Sequence, residues 1–373
     1  MECAGLPDSG YLPFRDRLYR KAIRSRVPLA GSIETTACCN LRCRHCYVAG
    51  EAGRCDEMST EEQLDLIDQL ADAGCLWLLV TGGEPLMRSD FEAFYTHVKR
   101  RGILPMVFTN GTLVTNEIAD MLAEMPPYLV EVSVYGASRE TYETVTGVAG
   151  SYERCMAGIG RLVDRGIRLE LKTMAMTLNM HELAEMKSMA KFYGIPFRYD
   201  TLLNRTLGGG DAPLRYRLSP RQTVELDESD PERRSECRRL VEDFRGGSSE
   251  GDRIYQCGAG SSTFHIDPAG RLSVCMMSRQ ESYDLRLGTF REGWERFIPE
   301  VLSMEWSRDV PCRSCPLRSM CGQCAGWGWL DHGDPEARVD YLCEVACRRA
   351  DMLGVRCPRP YDTGGTSATG EGR

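Results

Sequence analysis

No stretch of this 373-residue chain approaches the roughly 18 apolar residues that a membrane-spanning helix needs. The start of the chain, Met1 to Ala30, is polar and broken by Pro7, Pro13 and Pro28, so the apolar centre of an export signal is missing too. Nor is there a surplus of cations: 46 Lys and Arg stand against 54 Asp and Glu, a net charge of −8. That balance argues against a nucleic-acid groove as the main business of the surface. The expectation is a cytoplasmic protein without a membrane or nucleic-acid partner.

Cysteine is what the chain has in excess, with 18 residues. Without an export signal, so many thiols read better as metal ligands in a reducing compartment than as disulfides. Three lie in one early loop and eight between Cys257 and Cys347. Cys3, Cys38, Cys55, Cys75, Cys155, Cys237 and Cys357 are scattered, each by default a small buried hydrophobe or a free thiol.

The early loop reads Cys39-Asn-Leu-Arg-Cys43-Arg-His-Cys46-Tyr47, a C-x3-C-x2-C run. Three thiolates this close converge on one metal centre. A structural zinc or a filled cubane takes four protein ligands, so three leave a metal position open. Cys38 cannot begin the same pattern, because Arg42 stands where its partner would be.

Residues 31–201 alternate apolar runs with amphipathic stretches. Strands are expected at 32–36, 76–81, 104–109, 129–134, 167–175 and 195–200. Ser59-Thr-Glu-Glu62 is a capping box, and Asn179 to Glu182 is expected to cap a later helix. Six βα-like units with continuous apolar strands imply a parallel sheet covered by helices. They are too few for a closed eight-stranded barrel, so the fold class is α/β, a partial (β/α)6 TIM-like barrel. Ligand chemistry in such sheets sits at the carboxyl ends of strands. There lie the cysteine loop, Gly82-Gly-Glu-Pro85, Thr109-Asn110-Gly111 and Ser133-Val-Tyr135-Gly136. Taken singly, these are ordinary turns, Lys172 is a strand residue, and the methionines from Met174 to Met189 are core filler.

Together these residues resemble the radical S-adenosylmethionine (SAM) enzymes over residues 30–200. The resemblance implies a [4Fe–4S] cluster on Cys39, Cys43 and Cys46, with one iron left for the amino and carboxylate groups of SAM. It implies reductive cleavage of SAM to a 5′-deoxyadenosyl radical that abstracts hydrogen from a substrate. By the same resemblance Gly82, Gly83 and Glu84 meet the methionyl amino group, with Asn110 at the next strand end. Ser133 and Lys172 stand near the ribose and carboxylate, and His45 takes the place of an aromatic on the adenine side. Tyr135, Tyr199 and Asp200 are candidates for a catalytic base.

The boundaries expected are an extension (1–30), the barrel (31–203), a polar linker or substrate-side segment with one helix at 231–244 (204–256), a cysteine-rich domain (257–357) and a disordered tail (358–373). The spacing Cys312-x2-Cys315-x5-Cys321-x2-Cys324, with Cys257, Cys275, Cys343 and Cys347, suits two four-thiolate sites, whether zinc or cubane. It resembles the SPASM extension of radical SAM proteins, which implies two auxiliary [4Fe–4S] clusters and three in all. Cys312, Cys315, Cys321 and Cys343 would hold the outer one. Cys257, Cys275 and Cys324 would hold the inner one, with Cys347 as its fourth ligand. Trp327 and Trp329 would shield a cluster or pack in a core.

The segment Val132 to Tyr142 looks like stretches of peptide maturases, so a peptide or protein side chain is the expected substrate. Met276-Met277 stand where sulfatase-maturing enzymes carry an aspartate. Only 38 residues precede Cys39, so a leader peptide would need another surface or a separate binding protein. A flavodoxin- or ferredoxin-type donor would supply electrons. The alternatives are the same chemistry on a small molecule, such as a tetrapyrrole side chain or a sugar, and a zinc-bound scaffold without turnover.

Overall fold

The computed structural model describes residues 11–50, 56–245 and 252–357. Its strands are β1 (Ala30–Glu34), β2 (Trp77–Thr81), β3 (Leu104–Thr109), β4 (Leu129–Ser133), β5 (Leu169–Met174), β6 (Phe197–Asp200), β7 (Thr263–Ile266), β8 (Arg271–Ser273) and β9 (Tyr283–Asp284). They form one open sheet in the order β6-β5-β4-β3-β2-β1-β7-β8-β9. The first six are parallel in chain order, as expected from the continuous apolar runs. The sequence did not announce the rest. β7 joins β1 in parallel, and β8 and β9 return antiparallel, so the cysteine-rich region begins by extending the barrel sheet.

The two faces of the sheet differ in kind. Ile33, Leu78, Val80, Val107, Val130 and Leu171 point one way and are buried with Leu66, Ile67, Leu70, Phe94, Val98 and Ile159 of the covering helices. Each such side chain contributes roughly 1.5–3 kcal/mol by leaving water. Strand alternation puts Ser32, Glu34, Phe108, Glu131, Ser133, Lys172 and His265 on the opposite face, and most of them are polar.

Helix α1 (Tyr11–Ser25) lies before β1 and stacks Tyr19 on Trp77 with ring centroids 5.7 Å apart. Helix α2 (Thr60–Asp72) starts at the expected capping box, Ser59 Oγ accepting from Glu62 N at 3.2 Å and Glu62 from Ser59 N at 2.7 Å. Then come α3 (Phe91–Arg100), α4 (Asn116–Glu124), α5 (Arg139–Thr146), α6 (Ser151–Asp164) and α7 (Leu183–Phe192). The short α4 and α5 escaped the sequence reading.

The expected cap at Asn179 is a correction. Its side chain is buried and spans strand ends, donating to Tyr135 O (3.2 Å) and Met174 O (3.0 Å) and accepting from Met176 N (2.8 Å). Glu182 serves a different helix, accepting from Ser138 Oγ and Thr141 Oγ1, both at 2.6 Å, in the first turn of α5.

Residues 204–256 are more than a linker. They hold α8 (Pro220–Ser229) and α9 (Pro231–Arg245). Asp227, fully buried, accepts from Arg233 Nε (2.7 Å) and from Arg349 Nε (2.8 Å) of the helix Asp340–Met352. A carboxylate between two guanidiniums thus clamps α8 and α9 to the C-terminal helix, where sequence polarity suggested a solvated connection. The expected tail from 358 lies outside the described residues. Among those residues no helix is long and apolar enough to cross a membrane.

Candidate active site

The chain leaves β1 at Glu34 and enters the cysteine loop, whose backbone is tied down on three sides. Arg42 N and Arg44 N donate to Thr146 O and Val145 O at the end of α5, both at 2.9 Å. Ala37 N donates to Glu57 Oε1 at 2.8 Å. On the third side, Gly83 N donates to Thr36 O and Glu84 N to Cys38 O, both at 2.8 Å. This approach explains the paired glycines. A Cβ at Gly82 would lie 2.3 Å from Thr36 O, and one at Gly83 would lie 2.3 Å from Cys38 O. Gly82 also has φ +141°, which L side chains rarely adopt.

Glu84 turns inward and is buried, and its oxygens accept from Thr109 Oγ1 (2.7 Å), Asn110 N (2.7 Å) and Leu86 N (3.2 Å). Burial pushes its carboxyl up to about 7 against these donors. The side chain therefore braces the ends of β2 and β3 against each other. Asn110 carries the brace onward, donating to Asn40 Oδ1 (2.9 Å) and to the sulfur of Cys39 (3.8 Å). Burial, and then Glu84 and Cys46, raise the Cys39 thiol to about 11. Burial raises Cys43 further, with Cys46 and Cys39 adding to it. Cys39 is exposed and Cys43 and Cys46 are half-buried, and the three repel as thiolates, a donor set that a positively charged metal centre would stabilise.

His45, between the cysteines, is buried and meets Tyr135 edge-on with ring centroids 4.6 Å apart. Its Nδ1 has no hydrogen-bond partner. Burial holds this imidazole neutral, lowering its pKa to about 4. Ser133 hydrogen-bonds Tyr135, whose ring also packs on Tyr142. His45, Ser133 and Tyr135 are therefore brought together beside the loop.

Lys172 is engaged elsewhere. Its ammonium lies 2.6 Å from Glu131 and 3.3 Å from the centroid of Phe108. Burial lowers its pKa to about 8 although Glu131 opposes the shift. Tyr199 sits apart from the loop, under the guanidinium of Arg233 at 4.6 Å. Asp200 caps the chain after β6, accepting from Thr201 N (2.6 Å) and Leu202 N (3.0 Å). The structure gives these last two residues local structural work.

The C-terminal cysteines separate into two sets. Cys312, Cys315, Cys321 and Cys343 line one cavity, and burial and mutual repulsion raise Cys321 to about 12. Cys257, Cys275 and Cys324 form the other; burial raises Cys324, with Cys275 and Cys257 adding to it. Cys347, expected with the inner set, lines the outer cavity, where its sulfur is joined to that of Cys357. The reason is helical geometry: Cys343 and Cys347 lie on one helix four residues apart and face the same way. Trp327 is buried in a small core with Val339 and Leu342 against which Cys321 and Cys324 pack, while Trp329 is exposed. Among the described residues no three of these groups converge on one ion-sized point. A four-iron cube instead receives each thiolate at its own corner, so the donor sets fit such clusters.

An open α/β sheet with a three-cysteine loop at the carboxyl end of its first strand defines the class. Residues 33–193 match the Radical SAM superfamily. That match spans less than half of the chain and takes in the cysteine loop, Gly82 to Glu84 and Asn110. The chain is 27% identical over 324 residues to an AdoMet-dependent heme synthase of Methanosarcina barkeri, covering 81% of this chain and 92% of that protein. It is also 27% identical over 351 residues to the mycofactocin maturase MftC of Mycobacterium tuberculosis, covering 90% and 88%. The crystal structure of Streptococcus suis SuiB bound to the precursor peptide SuiA shares the fold, with TM-score 0.68 and 16% identity over 92% of this chain and 84% of that one.

Proposed function

We propose that the chain is a radical SAM enzyme acting on a peptide or protein side chain. The observation that carries the radical chemistry is the cysteine loop, held by Gly83, Glu84 and Asn110, with three thiols close enough to repel as thiolates. Cys39, Cys43 and Cys46 would hold a [4Fe–4S] cluster, which when bound would supply the electron for reductive cleavage of SAM. Glu84 and Asn110 keep the loop at its height above the strand ends. The buried, neutral His45 and the rings of Tyr135 and Tyr142 give one side of the site an apolar wall that excludes water.

In this reading residues 257–357 bind two auxiliary clusters, on Cys312, Cys315, Cys321 and Cys343 and on Cys257, Cys275 and Cys324. A flavodoxin- or ferredoxin-type donor reduces the protein. The peptide reading draws support from the maturase, matched over 90% of this chain. The heme synthase, matched over 81%, supports a second reading in which a tetrapyrrole side chain is oxidised; identity is 27% in both cases and does not separate them.

Anaerobic reconstitution tests the first part. The wild type should hold about twelve irons and a Cys39/Cys43/Cys46→Ala variant about eight, with 5′-deoxyadenosine formation lost. Zinc in place of iron, without SAM cleavage, would sink the reading. Incubation of reduced enzyme with candidate peptides and with iron-coproporphyrin, followed by mass spectrometry, separates the two substrate classes.

A further inference from the structure

On the polar face of the sheet, a buried ion pair stands between the two cysteine systems. Glu34 is the last residue of β1, from which the chain runs into the first cysteine loop, and it is 2% exposed. Arg279, four residues after Cys275, reaches it with two hydrogen bonds, Nη2 to Oε1 at 2.6 Å and Nη1 to Oε2 at 3.0 Å. The guanidinium is fixed from its own side as well, Nε donating to Met276 O at 2.7 Å. The pair therefore joins the start of the first loop to the backbone beside Cys275, with one charge toward each. His265 borders it, its Nε2 3.9 Å from Glu34 Oε1 and its Nδ1 2.8 Å from Ser32 Oγ.

The surrounding electrostatics agree with this placement. Burial raises the Cys46 thiol, and Glu34 adds to the shift. Burial also raises Cys275, and Arg279 opposes it. Burial raises the Tyr47 hydroxyl, with Glu34, Cys46 and Cys275 adding to the shift and Arg279 opposing it.

A bidentate pair in a dry setting is more than a fastening. Removing either charge leaves the other uncompensated next to a thiolate, and unscreened charges at short range act strongly in a low dielectric. A cation near a cluster favours its reduced, more negative form, and a carboxylate disfavours it.

We propose that Arg279 and Glu34 are a positioning pair that sets the reduction potential of the inner auxiliary cluster relative to the first one. This rests on the reading that Cys257, Cys275 and Cys324 hold a cluster. Arg279 acts through Cys275 beside it, and Glu34 acts by neutralising Arg279, so the two have opposite effects on the inner cluster.

The test is an EPR-monitored redox titration of reconstituted full-length protein in the Cys39/Cys43/Cys46→Ala background, where only auxiliary clusters remain. Arg279→Met should shift one midpoint to more negative potential and leave the other in place as an internal control. Glu34→Gln should shift the same midpoint to more positive potential. The double variant should return it toward the starting value, and Arg279→Lys, which keeps the charge, should move it least. A purely structural tie predicts otherwise, with both single variants shifting the signal in the same direction or not at all, and either result overturns the proposal. Should Arg279→Met lose iron, the Glu34→Gln midpoint decides, and an unmoved value overturns the proposal. A protein that takes up no auxiliary iron overturns the cluster reading, and the proposal with it. Unmoved potentials in fully loaded protein overturn the proposal alone.

Discussion

Replacing Gly83 by Ala probes the joint on which the candidate site depends. The added Cβ would sit 2.3 Å from Cys38 O and 2.6 Å from Ala37 O. Contacts under 3.0 Å are essentially never seen for real Cβ atoms, so the Cys38 carbonyl must retreat by at least 0.7 Å (3.0 − 2.3). Backbone stands on both sides of this contact, so no flexible side chain can yield. The shift also strains the bonds from Gly83 N to Thr36 O and from Glu84 N to Cys38 O, both 2.8 Å. Overpacking of this kind costs roughly 1–3 kcal/mol, which a domain of this size tolerates. The ligand geometry at Cys39, the next residue, does not tolerate it. The expected result is a folded protein with an unchanged far-UV CD spectrum that reconstitutes with about four fewer irons and loses SAM cleavage. Gly83→Ala with full iron and wild-type 5′-deoxyadenosine formation would refute the reasoning.

Three further outcomes follow from the packing. Asp227→Ala leaves Arg233 and Arg349 buried without their carboxylate, and should cost about 3–5 kcal/mol in denaturant unfolding while the sheet's own core stays intact. His265 is buried neutral, its pKa held well below the ordinary value by burial and then by Arg279. The unfolded chain therefore binds the extra proton first, so stability is full above about pH 6.5 and falls by up to about 1.4 kcal/mol per pH unit below it. His265→Gln should flatten that slope between pH 6.5 and 5 in urea melts, and an unchanged slope would count against the assignment. Cys347→Ala should leave the iron content unchanged, because Cys347 lies at a cavity that already has four other thiols. A loss of about four irons would restore it as a ligand.

Much of the fold was legible because a parallel strand buried on both faces leaves a continuous apolar run, as from Leu76 to Thr81. The three-cysteine loop was legible because its ligands are neighbours in the chain. The errors fall where a residue's partner is remote. Asn179 looked like a helix cap, and its type suits one, but its hydrogen bonds go to Tyr135 and Met174. Residues 204–256 read as a polar linker or substrate-side segment from their glycines, prolines and the acidic patch Glu225 to Glu232, and only the meeting of Asp227 with Arg349, 122 residues away, makes that charge a core element. Arg279 and Glu34, 245 residues apart, carried no signal in the sequence.

By itself, the sequence carried the expected class of chemistry. Ligand spacing within one loop and the placement of Gly82 to Glu84 at a strand end are local properties, and so is the count of cysteines available for further centres. The tertiary structure decided the sorting of those cysteines, bringing Cys257, Cys275 and Cys324 together and turning Cys347 to the other set. It also decided that the sheet continues through β7 to β9 and that an ion pair stands between the first loop and Cys275. The physical reason is range. Spacing and turn chemistry act over a few residues, whereas burial of charge and convergence of thiols depend on which distant segments the packed sheet brings side by side.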